Sequence, residues 1–527
     1  MHAAYNTEAG TSQAALPLCM AGQDLRMAGG SMELSKLVKN VSVKIIQGDT
    51  DCEITNLTAD SRKAREGTAF VCIAGTVSDG HKYLEEVVAK GARAVVVLKS
   101  ADYRSCFRGG ELPQSSKVTV LETNDTRLAY ALMSETWFDY PAKKLFTIGI
   151  TGTKGKTTTS YMIKNVLESC GHKTGLIGTI ETVIGDEHVP SHNTTPESYE
   201  IQEKFSQMIE EGCEAVVMEV SSQGIMMRRT AGIQFNIGVF TNIEPDHIGP
   251  NEHASFEEYL ECKSMLLKQC DIGIVNCDDE HIGKILEHAE CRIEKYGFGE
   301  DADIRATDKE LIYGHGIIGT GFHTKGLVDI DVRLCMPGNF SVYNALCAIA
   351  VTRHFNVDKD KLKKALYEVK VRGRIEIIDI HRDFTVMVDY AHNAMALESI
   401  LKTLKEYNPK RIVAVFGCGG NRDRARRFEM GEVSGRMADF TIITSDNPRN
   451  ENPEDIIADI VTGISKTEGS HIEITDRAEA VKYAIDNALP GDIIVIAGKG
   501  HEDYQEINGV RHHMDDRELV LEAAKCV

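Results

Sequence analysis

The residues with the plainest chemical signature lie in the segment 151–159, TGTKGKTTT. Glycines at this spacing let backbone N–H groups close around phosphate oxygens, a lysine can reach the outer phosphates, and the next hydroxyl can bind magnesium. The segment departs from the pattern GxxxxGK[ST], whose first glycine would fall at Ile150. A glycine-rich turn with a purely structural role is the alternative. We predict a nucleotide-phosphate loop, with these contacts: Gly152, Thr153, Lys154, Gly155, Lys156, Thr157 and Thr158.

Two further side chains could hold the divalent cation that a bound nucleotide requires. Glu219 lies in the apolar run 215–220, and His247 follows the apolar run 237–241. Open α/β sheets bind ligands at the carboxyl ends of their strands, so both side chains are predicted to reach the same crevice. A lone histidine after a strand is more often packed or hydrogen-bonded than bound to metal. His247 therefore stands as a candidate beside that alternative.

The elements that would position these residues alternate between strands and helices. The run 145–150 predicts a strand that enters the loop, and 156–169 predicts a helix closed by Gly171. Separated strand candidates of this kind indicate a mainly parallel sheet. After Gly373 the pattern restarts, which predicts a third, doubly wound domain. The further strand candidates are 215–220, 237–241, 272–276, 384–388, 411–417, 440–444 and 493–497.

The chain has 527 residues, more than one hydrophobic core usually serves, since domains run to about 100–200 residues. Residues 1–31 are rich in Ala, Gly and Ser and lack periodicity, so we interpret them as a dispensable leader or tail. Pro141 falls in a predicted linker. The predicted fold class is α/β with three domains, spanning 32–140, 141–371 and 372–527.

Composition narrows the class of protein. A net charge of −20 argues against a nucleic-acid binder with a general basic surface. The 14 cysteines are scattered without a CxxC pair, which favours reduced thiols over a disulfide scaffold or zinc site. No apolar run approaches the ~18 residues of a membrane span, and no secretory signal pattern opens the chain. We therefore expect a cytoplasmic protein; its oligomeric state stays open, with a monomer as the default.

A series of motifs together resembles the Mur ligase family of peptidoglycan synthesis. The resemblance spans residue 32 to the C-terminus, and it is strongest to the members that add a diamino acid as third residue of the stem peptide. The motifs occur in this order: GITGTKGKTTT (149–159), NTTPE (193–197), MEVSSQG (218–224), FTNIEPDHIGPNEH (240–253), YLECKSMLL (259–267), GRIE (373–376), VDYAHNA (388–394), FGCGGNRDR (416–424), DNPRNENP (446–453) and GKGHEDYQ (498–505).

The resemblance implies an architecture and a reaction. An N-terminal domain would hold the uridine nucleotide, a central domain ATP with a P-loop, and a Rossmann-like C-terminal domain the amino acid. The γ-phosphoryl group of ATP would pass to a carboxylate of the UDP-N-acetylmuramoyl-dipeptide, UDP-N-acetylmuramoyl-L-alanyl-D-glutamate. The amine of the diamino acid would then attack the acyl phosphate. Lys156, with Mg²⁺ on Thr157, Glu219 and His247, would neutralise the reacting anions.

Further site residues follow from the resemblance position by position. Lys263 matches a family lysine that carries a carbamate (N6-carboxylated lysine) and helps to hold a second magnesium; a solvated helix lysine is the alternative. Gln223 and Met227 stand where the family often has His and Gln. The matching ATP contacts are Asn344 for the base, Arg374 for phosphate, and Asp389 and His392 for ribose and nearby groups. The matching UDP-sugar-peptide contacts are Ser61, Thr194, Thr195, Ser221 and Arg229.

The motifs also bear on which diamino acid is added, meso-diaminopimelate or lysine. In the family, DNPR is associated with meso-diaminopimelate, whose distal carboxylate lysine lacks; Arg449 can meet it with a two-pronged guanidinium. Glu502 can pair with the distal ammonium, and an unpaired Arg449 would disfavour lysine. The other pocket positions are Arg422, Asp446, Asn447 and Gly498. DHIGPNEH (246–253) instead resembles lysine-adding relatives, and DRARRF (423–428) departs from the usual DxxKRP. We expect diaminopimelate, with lysine as the alternative, because Arg449 would touch the discriminating group.

Two other functions compete with this interpretation. A ligase similar to folylpolyglutamate synthetase would share the phosphate loop and the carbamate lysine, but the segment Asp60-Ser61-Arg62 and DNPR speak against it. An ATP-dependent switch that hydrolyses without ligation would leave the predicted amino-acid pocket without a purpose.

Overall fold

The computed structural model describes residues 30–75, 78–107, 118–246, 248–249, 252–287, 289–314 and 317–525. Successive parts of the chain form separate sheets, each covered by helices. The predicted α/β fold class is confirmed.

The N-terminal part forms a small sheet in the order β2-β7-β6-β5-β4, parallel except where β2 meets β7. Helix α3 begins where the Asp125 carboxylate accepts a hydrogen bond from the Leu128 N–H at 2.9 Å, a standard N-cap. The elements are β1 (Met32–Glu33), α1 (Leu34–Leu37), β2 (Lys44–Gln47), β3 (Glu53–Ile54), β4 (Asn56–Thr58), β5 (Thr68–Val71), α2 (Leu84–Ala89), β6 (Ala94–Leu98), β7 (Thr119–Thr123) and α3 (Thr126–Trp137).

The central part forms a large mixed sheet. Its elements are β8 (Phe146–Thr151), α4 (Lys156–Ser169), β9 (Thr174–Ile177), β10 (Glu181–Ile184), β11 (Glu187–Pro190), α5 (Ser198–Glu210), β12 (Ala215–Glu219), α6 (Ser222–Met226), β13 (Phe235–Phe240), α7 (Phe256–Ser264), β14 (Cys270–Asn276), α8 (Ile282–Leu286), β15 (Arg292–Gly297), β16 (Ile304–Gly314), β17 (Ile317–Gly326), β18 (Ile330–Leu334), α9 (Gly338–Thr352) and α10 (Lys359–Glu368).

The strand order in this sheet is β11-β10-β9-β12-β8-β13-β14-β15-β16-β17-β18. Its middle, from β9 to β16, is parallel, as the sequence predicted. Antiparallel strands that the sequence analysis did not predict extend it at both ends. Helices α4, α9 and α10 cover one face and α5 and α7 the other, so the middle strands are buried on both sides.

The C-terminal part forms a sheet in the order β19-β20-β24-β21-β22-β23, parallel except for β19. Helices α11 to α13 pack on one face, and α14 and α15 pack on the other. The elements are β19 (Glu376–Ile378), β20 (Thr385–Asp389), α11 (Ala394–Lys405), β21 (Arg411–Phe416), α12 (Ala425–Met437), β22 (Phe440–Ile443), α13 (Pro453–Ile464), β23 (His471–Glu473), α14 (Arg477–Asp486), β24 (Asp492–Ala497), β25 (Tyr504–Ile507), β26 (Val510–His513) and α15 (Asp516–Lys525).

Specific contacts join the parts. Tyr199 of α5 stacks on Tyr130 of α3 with ring centroids 6.3 Å apart, which ties the N-terminal part to the central one. The Tyr407 hydroxyl, just after α11, donates to the Gly319 carbonyl oxygen at 2.8 Å and lies 2.8 Å from the Thr320 hydroxyl. Strand β17 therefore docks the C-terminal part.

A cavity of about 710 Å³ lies where the chain passes from the central part into the C-terminal one. Side chains of β17, of the end of α10 and of β19 line it. Within the described ranges, no helix combines the length and apolar character needed to cross a bilayer. The described cysteines are free thiols.

Candidate active site

The predicted phosphate loop lies between the carboxyl end of β8 and the first residue of α4, Lys156. Gly152 and Gly155 have φ values of +139° and +84°, a region that side chains rarely adopt. An added Cβ at Gly152 would collide with the Thr241 hydroxyl, and one at Gly155 would lie 2.5 Å from Asn344 Oδ1. The loop therefore needs glycine for both conformation and space.

Residues that follow β13 hold this loop in place. Asn242 accepts a hydrogen bond from the Lys154 N–H at 2.9 Å and donates from Nδ2 to the Lys154 carbonyl at 3.0 Å. Lys154 Nζ lies 2.6 Å from Glu244 Oε2. Neither Asn242 nor Glu244 was predicted as a site residue, although both lie just after the buried strand β13, a position that favours ligand contacts. His247, the predicted metal ligand nearby, lies outside the described residues.

Lys156 and Lys263 converge on one backbone oxygen. Each Nζ donates to the Gly152 carbonyl oxygen at 2.8 Å. Burial lowers the pKa of Lys156, and Arg374 lowers it further, while Glu219 opposes the shift. Burial also lowers the pKa of Lys263 well below its ordinary value, and the Lys156 charge adds to that effect. Positive charges on Lys156 and Lys263 at the same time are therefore energetically unfavourable beside the Gly152 carbonyl.

Glu219 ends β12, as predicted, and is fully buried beside the loop. Its Oε2 accepts from the Thr157 hydroxyl at 3.0 Å and from the Thr179 hydroxyl at 2.9 Å, while Oε1 accepts from the Thr179 N–H at 2.9 Å. A hydroxyl and a carboxylate this close form an oxygen donor set that suits Mg²⁺. Thr179 was not singled out from the sequence. Thr158 occupies the first turn of α4.

Most predicted UDP-sugar-peptide contacts adjoin Glu219. The Thr195 hydroxyl donates to the Glu219 carbonyl oxygen at 2.9 Å, and the Ser221 N–H donates to that hydroxyl at 2.9 Å. Arg229 Nη1 donates to the Thr195 carbonyl oxygen at 2.9 Å. The Thr194 hydroxyl lies 3.1 Å from that of Thr179.

The predicted UDP-sugar-peptide contacts near Glu219 border the N-terminal part of the molecule. Arg229 pairs with Glu197 at 2.8 Å, and Glu197 in turn lies 3.9 Å from Arg127 of α3. Ser61 begins a short 3-10 helix in the N-terminal part, where its carbonyl oxygen accepts from Lys90 Nζ at 2.8 Å. Over the ranges that the structure describes, no hydrogen bond joins Ser61 to Thr194, Thr195, Ser221 or Arg229.

The predicted ATP contacts lie on two parts of the molecule. Asn344 of α9 faces the loop, where its Oδ1 accepts from the Thr159 hydroxyl at 3.2 Å. Asp389 ends β20, as predicted, and its carboxylate accepts from the Ile375 and Ala391 N–H groups at 2.8 Å each. Burial raises the pKa of Asp389, an effect that Arg374 and these hydrogen bonds oppose.

An aromatic and cationic cluster surrounds Arg374. Its guanidinium lies 4.6 Å from the Tyr390 ring centroid, a cation–π distance. His392 and His501 lie 4.7 Å and 5.1 Å from the same ring. Burial lowers the pKa of His501 to about 4, and Arg374, Arg372 and Arg517 contribute. Tyr390 and His501 were not singled out from the sequence, although both lie inside quoted motifs.

The predicted amino-acid pocket forms at the carboxyl ends of β21, β22 and β24. Asp446 and Gly498 meet there, since an added Cβ at Gly498 would lie 2.8 Å from Asp446 Oδ2. Asn447 Nδ2 donates to Glu502 Oε2 at 2.8 Å. Arg449 Nη1 donates to the Gly420 carbonyl oxygen at 2.7 Å, beside the exposed Arg422 on the same loop. The structure therefore brings all six predicted positions together.

Buried charges support this pocket. The fully buried pair Arg477–Asp516 is bidentate, at 2.7 and 2.8 Å, and Arg477 Nη2 also donates to the Ala497 carbonyl oxygen at 3.0 Å, just before Gly498. Lys499 is buried beside Asn447 and Glu502. The sequence analysis missed these residues, because burial and pairing depend on tertiary contacts between distant segments.

Comparisons with known proteins agree with this geometry. Three family models match: "Mur ligase family, catalytic domain" over residues 53–133, "Mur ligase middle domain" over 150–352, and "Mur ligase, glutamate ligase domain" over 373–500. The chain is 42% identical to UDP-N-acetylmuramoyl-L-alanyl-D-glutamate–2,6-diaminopimelate ligase 1 of Clostridium acetobutylicum, over 94% of this chain and 99% of that one.

A second relative and a solved structure extend the comparison. The ligase of the same name from Caldanaerobacter subterraneus subsp. tengcongensis is 41% identical, over 93% of this chain and 98% of that one. A solved UDP-N-acetylmuramoyl-L-alanyl-D-glutamate–2,6-diaminopimelate ligase superposes with a TM-score of 0.68 and 29% identity, covering 94% of this chain and 99% of that chain. With full-length relatives and models that match its successive parts, the chain belongs to the Mur ligase family.

Proposed function

We propose that this Mur ligase joins meso-2,6-diaminopimelate to UDP-N-acetylmuramoyl-L-alanyl-D-glutamate in the cytoplasm, with hydrolysis of ATP to ADP. The observation that carries the proposal is the pocket in which Arg449 and Glu502 stand on neighbouring strand-end loops, bridged through Asn447 and Glu506. A guanidinium and a carboxylate together suit a distal end that carries both a carboxylate and an ammonium. The relatives named for 2,6-diaminopimelate support this assignment.

The phosphate loop supports ATP as the phosphoryl donor. Its N–H groups at the start of α4 and the Lys156 cation would bind the β- and γ-phosphates. Mg²⁺, held by Thr157 and Glu219, would supply further neutralisation of negative charge. The glutamate carboxylate takes the γ-phosphoryl group and ADP leaves; the amine of diaminopimelate then attacks the acyl carbon and expels inorganic phosphate. Asn344, Arg374, Asp389 and His392 would complete the ATP site.

We propose that Lys263 reacts with CO₂ to form a carbamate. The pKa of Lys263 is lowered by burial and by the Lys156 charge, which favours the neutral amine that this reaction needs. The neutral amine would bond to the carbon of CO₂ and release one proton to solvent. The resulting carbamate would place a negative charge beside Lys156 and offer oxygen atoms to a second Mg²⁺. Activity should fall in bicarbonate-free buffer and return when bicarbonate is added. Equal activity in both buffers contradicts the carbamate.

The other substrate would lie between the N-terminal and central parts. Thr194, Thr195, Ser221 and Arg229 adjoin Glu219, so a dipeptide bound there would present its carboxylate to the phosphate loop. Ser61 would contact the uridine nucleotide from the N-terminal part.

A phosphate-release assay tests the function directly. Release should require ATP, the UDP-linked dipeptide and diaminopimelate together, with a product heavier by one diaminopimelate residue. ATP turnover independent of the other two substrates would identify a switch instead. Comparable kcat/KM values for lysine and diaminopimelate would contradict the proposed amino acid, and use of a folate substrate would favour a folylpolyglutamate synthetase activity.

A further inference from the structure

Lys499 is a fully buried lysine directly after Gly498 in the amino-acid pocket. A buried ammonium is costly unless charged or polar groups surround it. Lys499 Nζ donates to Asn447 Oδ1 and to Glu502 Oε2, each at 3.2 Å, and it lies 5.3 Å from the Tyr504 ring centroid. Asn447 and Glu502 belong to the strand-end loops that form the pocket, and Tyr504 begins β25.

The hydrogen bonds from Lys499 Nζ orient the side chains of Asn447 and Glu502. An ammonium only donates, so the Asn447 amide must direct its oxygen to Lys499. Its Nδ2 group then faces Glu502 and donates to Oε2 at 2.8 Å. The same Asn447 oxygen accepts from the Glu506 N–H at 2.9 Å. Asn447 Nδ2 and Lys499 Nζ both donate to Oε2 of Glu502, and neither donates to Oε1.

Lys499 also adds a buried positive charge to the pocket. The carboxylates of Asp446, Glu502 and Glu506 stand near the cations of Arg422, Arg449 and Lys499. The exposed Arg511 lies 4.2 Å from the Tyr504 ring centroid. A distal end with one carboxylate and one ammonium adds no net charge to this set. A lysine substrate adds an unmatched positive charge, which is unfavourable in a poorly solvated site.

We propose that Lys499 is a positioning and specificity-determining residue that fixes the Glu502 carboxylate and selects a zwitterionic over a cationic distal end of the amino-acid substrate. This inference rests on the proposed function. Arg449 supplies the attraction for the distal carboxylate, and Lys499 supplies the repulsion against an unaccompanied ammonium.

The test compares Lys499→Met with the parent enzyme, using diaminopimelate and lysine in turn. Methionine keeps an unbranched side chain but removes the charge. We expect kcat/KM for diaminopimelate to fall at least tenfold, the lysine-to-diaminopimelate ratio of kcat/KM to rise at least tenfold, and the KM for ATP to stay within about twofold. Lys482→Met, on the exposed surface of α14, is the matched control and should match the parent.

A double-mutant cycle separates positioning from general stability. If Lys499 acts through Glu502, Lys499→Met should add little to the rise in KM for diaminopimelate already caused by Glu502→Gln. Fully additive effects, or an unchanged preference between the amino acids, would overturn the inference.

A measurement on the parent enzyme covers the case in which Lys499→Met does not fold. The distal monoamide of diaminopimelate has nearly the same shape but a cationic distal end, so the parent should discriminate against it at least tenfold. Equal use of monoamide and diaminopimelate overturns the inference. A parent enzyme inactive with diaminopimelate would instead refute the proposed function itself, so the two failures are distinguishable.

Discussion

Arg449 has a left-handed backbone conformation, with a φ of +52°, which is unfavourable for a residue other than glycine. Backbone hydrogen bonds hold it: its N–H donates to the Glu506 carbonyl at 2.9 Å, and its carbonyl accepts from the Asn508 N–H at 2.7 Å. Glu506 Oε2 also lies 3.7 Å from Arg449 Nε. The backbone contacts hold Arg449 in this conformation, and its Nη1 donates to the Gly420 carbonyl oxygen at 2.7 Å.

Replacing Arg449 with alanine should weaken binding of the amino acid selectively. We expect the KM for diaminopimelate to rise at least tenfold, because a charge-assisted bidentate contact is lost, while the KM for ATP stays within about twofold. Steady-state kinetics with each substrate varied in turn measures both values. Arg436→Ala, on the exposed side of α12, serves as control. A parallel rise in both KM values would contradict a role confined to the amino acid.

Glu219 and Asp389 could be predicted from the sequence because apolar runs place them at the ends of strands, and they end β12 and β20 in the structure. Gly498 was predicted through the family resemblance, and it directly follows β24. Lys499 was not predictable in the same way, because its burial depends on loops that are distant in sequence and converge only in the folded chain. The roles assigned through the family resemblance stay predictions.

Among elements, the antiparallel strands β16 to β18 depart most from the sequence-based expectation. Much of β16 is exposed and charged, so it lacks the continuous apolar run that revealed the parallel strands. These strands nevertheless contribute to the packing between parts of the molecule. Gly319 and Thr320 of β17 form hydrogen bonds with Tyr407 of the C-terminal part.

Tyr407→Phe tests this docking contact. The hydroxyl is buried and lies within hydrogen-bond distance of Thr320, of the Gly319 carbonyl and of the Gly338 N–H. Its loss should cost about 1–2 kcal/mol and lower the melting temperature by about 2–5 °C in calorimetry. The control is Tyr83→Phe, an exposed tyrosine of the N-terminal part whose hydroxyl lies 3.0 Å from the Ser78 hydroxyl. Equal shifts in both variants would contradict the special role of Tyr407.

Strand β15 is joined to the end of α9 by Glu294. Burial favours a raised pKa for Glu294, but hydrogen bonds from His354 and Arg353 outweigh it and hold the pKa at about 2. A lowered folded-state pKa contributes stability above the unfolded value near 4.5, and this contribution is lost as pH falls towards 2.

Glu294→Gln should therefore lower stability at neutral pH by an amount on the order of 2 kcal/mol. The variant should also lose less stability than the parent as pH falls from about 4.5 to 2, because the ionisable group is gone. Thermal unfolding across this pH range measures both effects, with the exposed Glu310→Gln as control. Identical pH profiles of parent and Glu294→Gln would contradict the assignment.

At the scale of the whole molecule, the proposed ligand-binding groups lie on separate sheets. The predicted phosphate loop and Glu219 belong to the central sheet, and the proposed amino-acid pocket belongs to the C-terminal one. The strand pattern that restarts after Gly373 predicted a separate C-terminal sheet, and the family resemblance assigned the amino acid to it. The sequence did not predict the cavity of about 710 Å³ at the junction, which depends on how β17, α10 and β19 fit together.

The carbonyl oxygen of Gly152 accepts hydrogen bonds from both Lys156 and Lys263. In the free protein the pKa values of both lysines are lowered, mainly by burial. We expect a bound polyphosphate to favour the ammonium forms and to raise these pKa values, so ADP binding should draw protons from the buffer. Titration calorimetry without bicarbonate should show binding enthalpies that vary with the ionisation enthalpy of the buffer, more strongly as pH rises; buffer-independent enthalpies would contradict the coupling. The affinity for nucleotide should then depend on pH, through the two lysine amines.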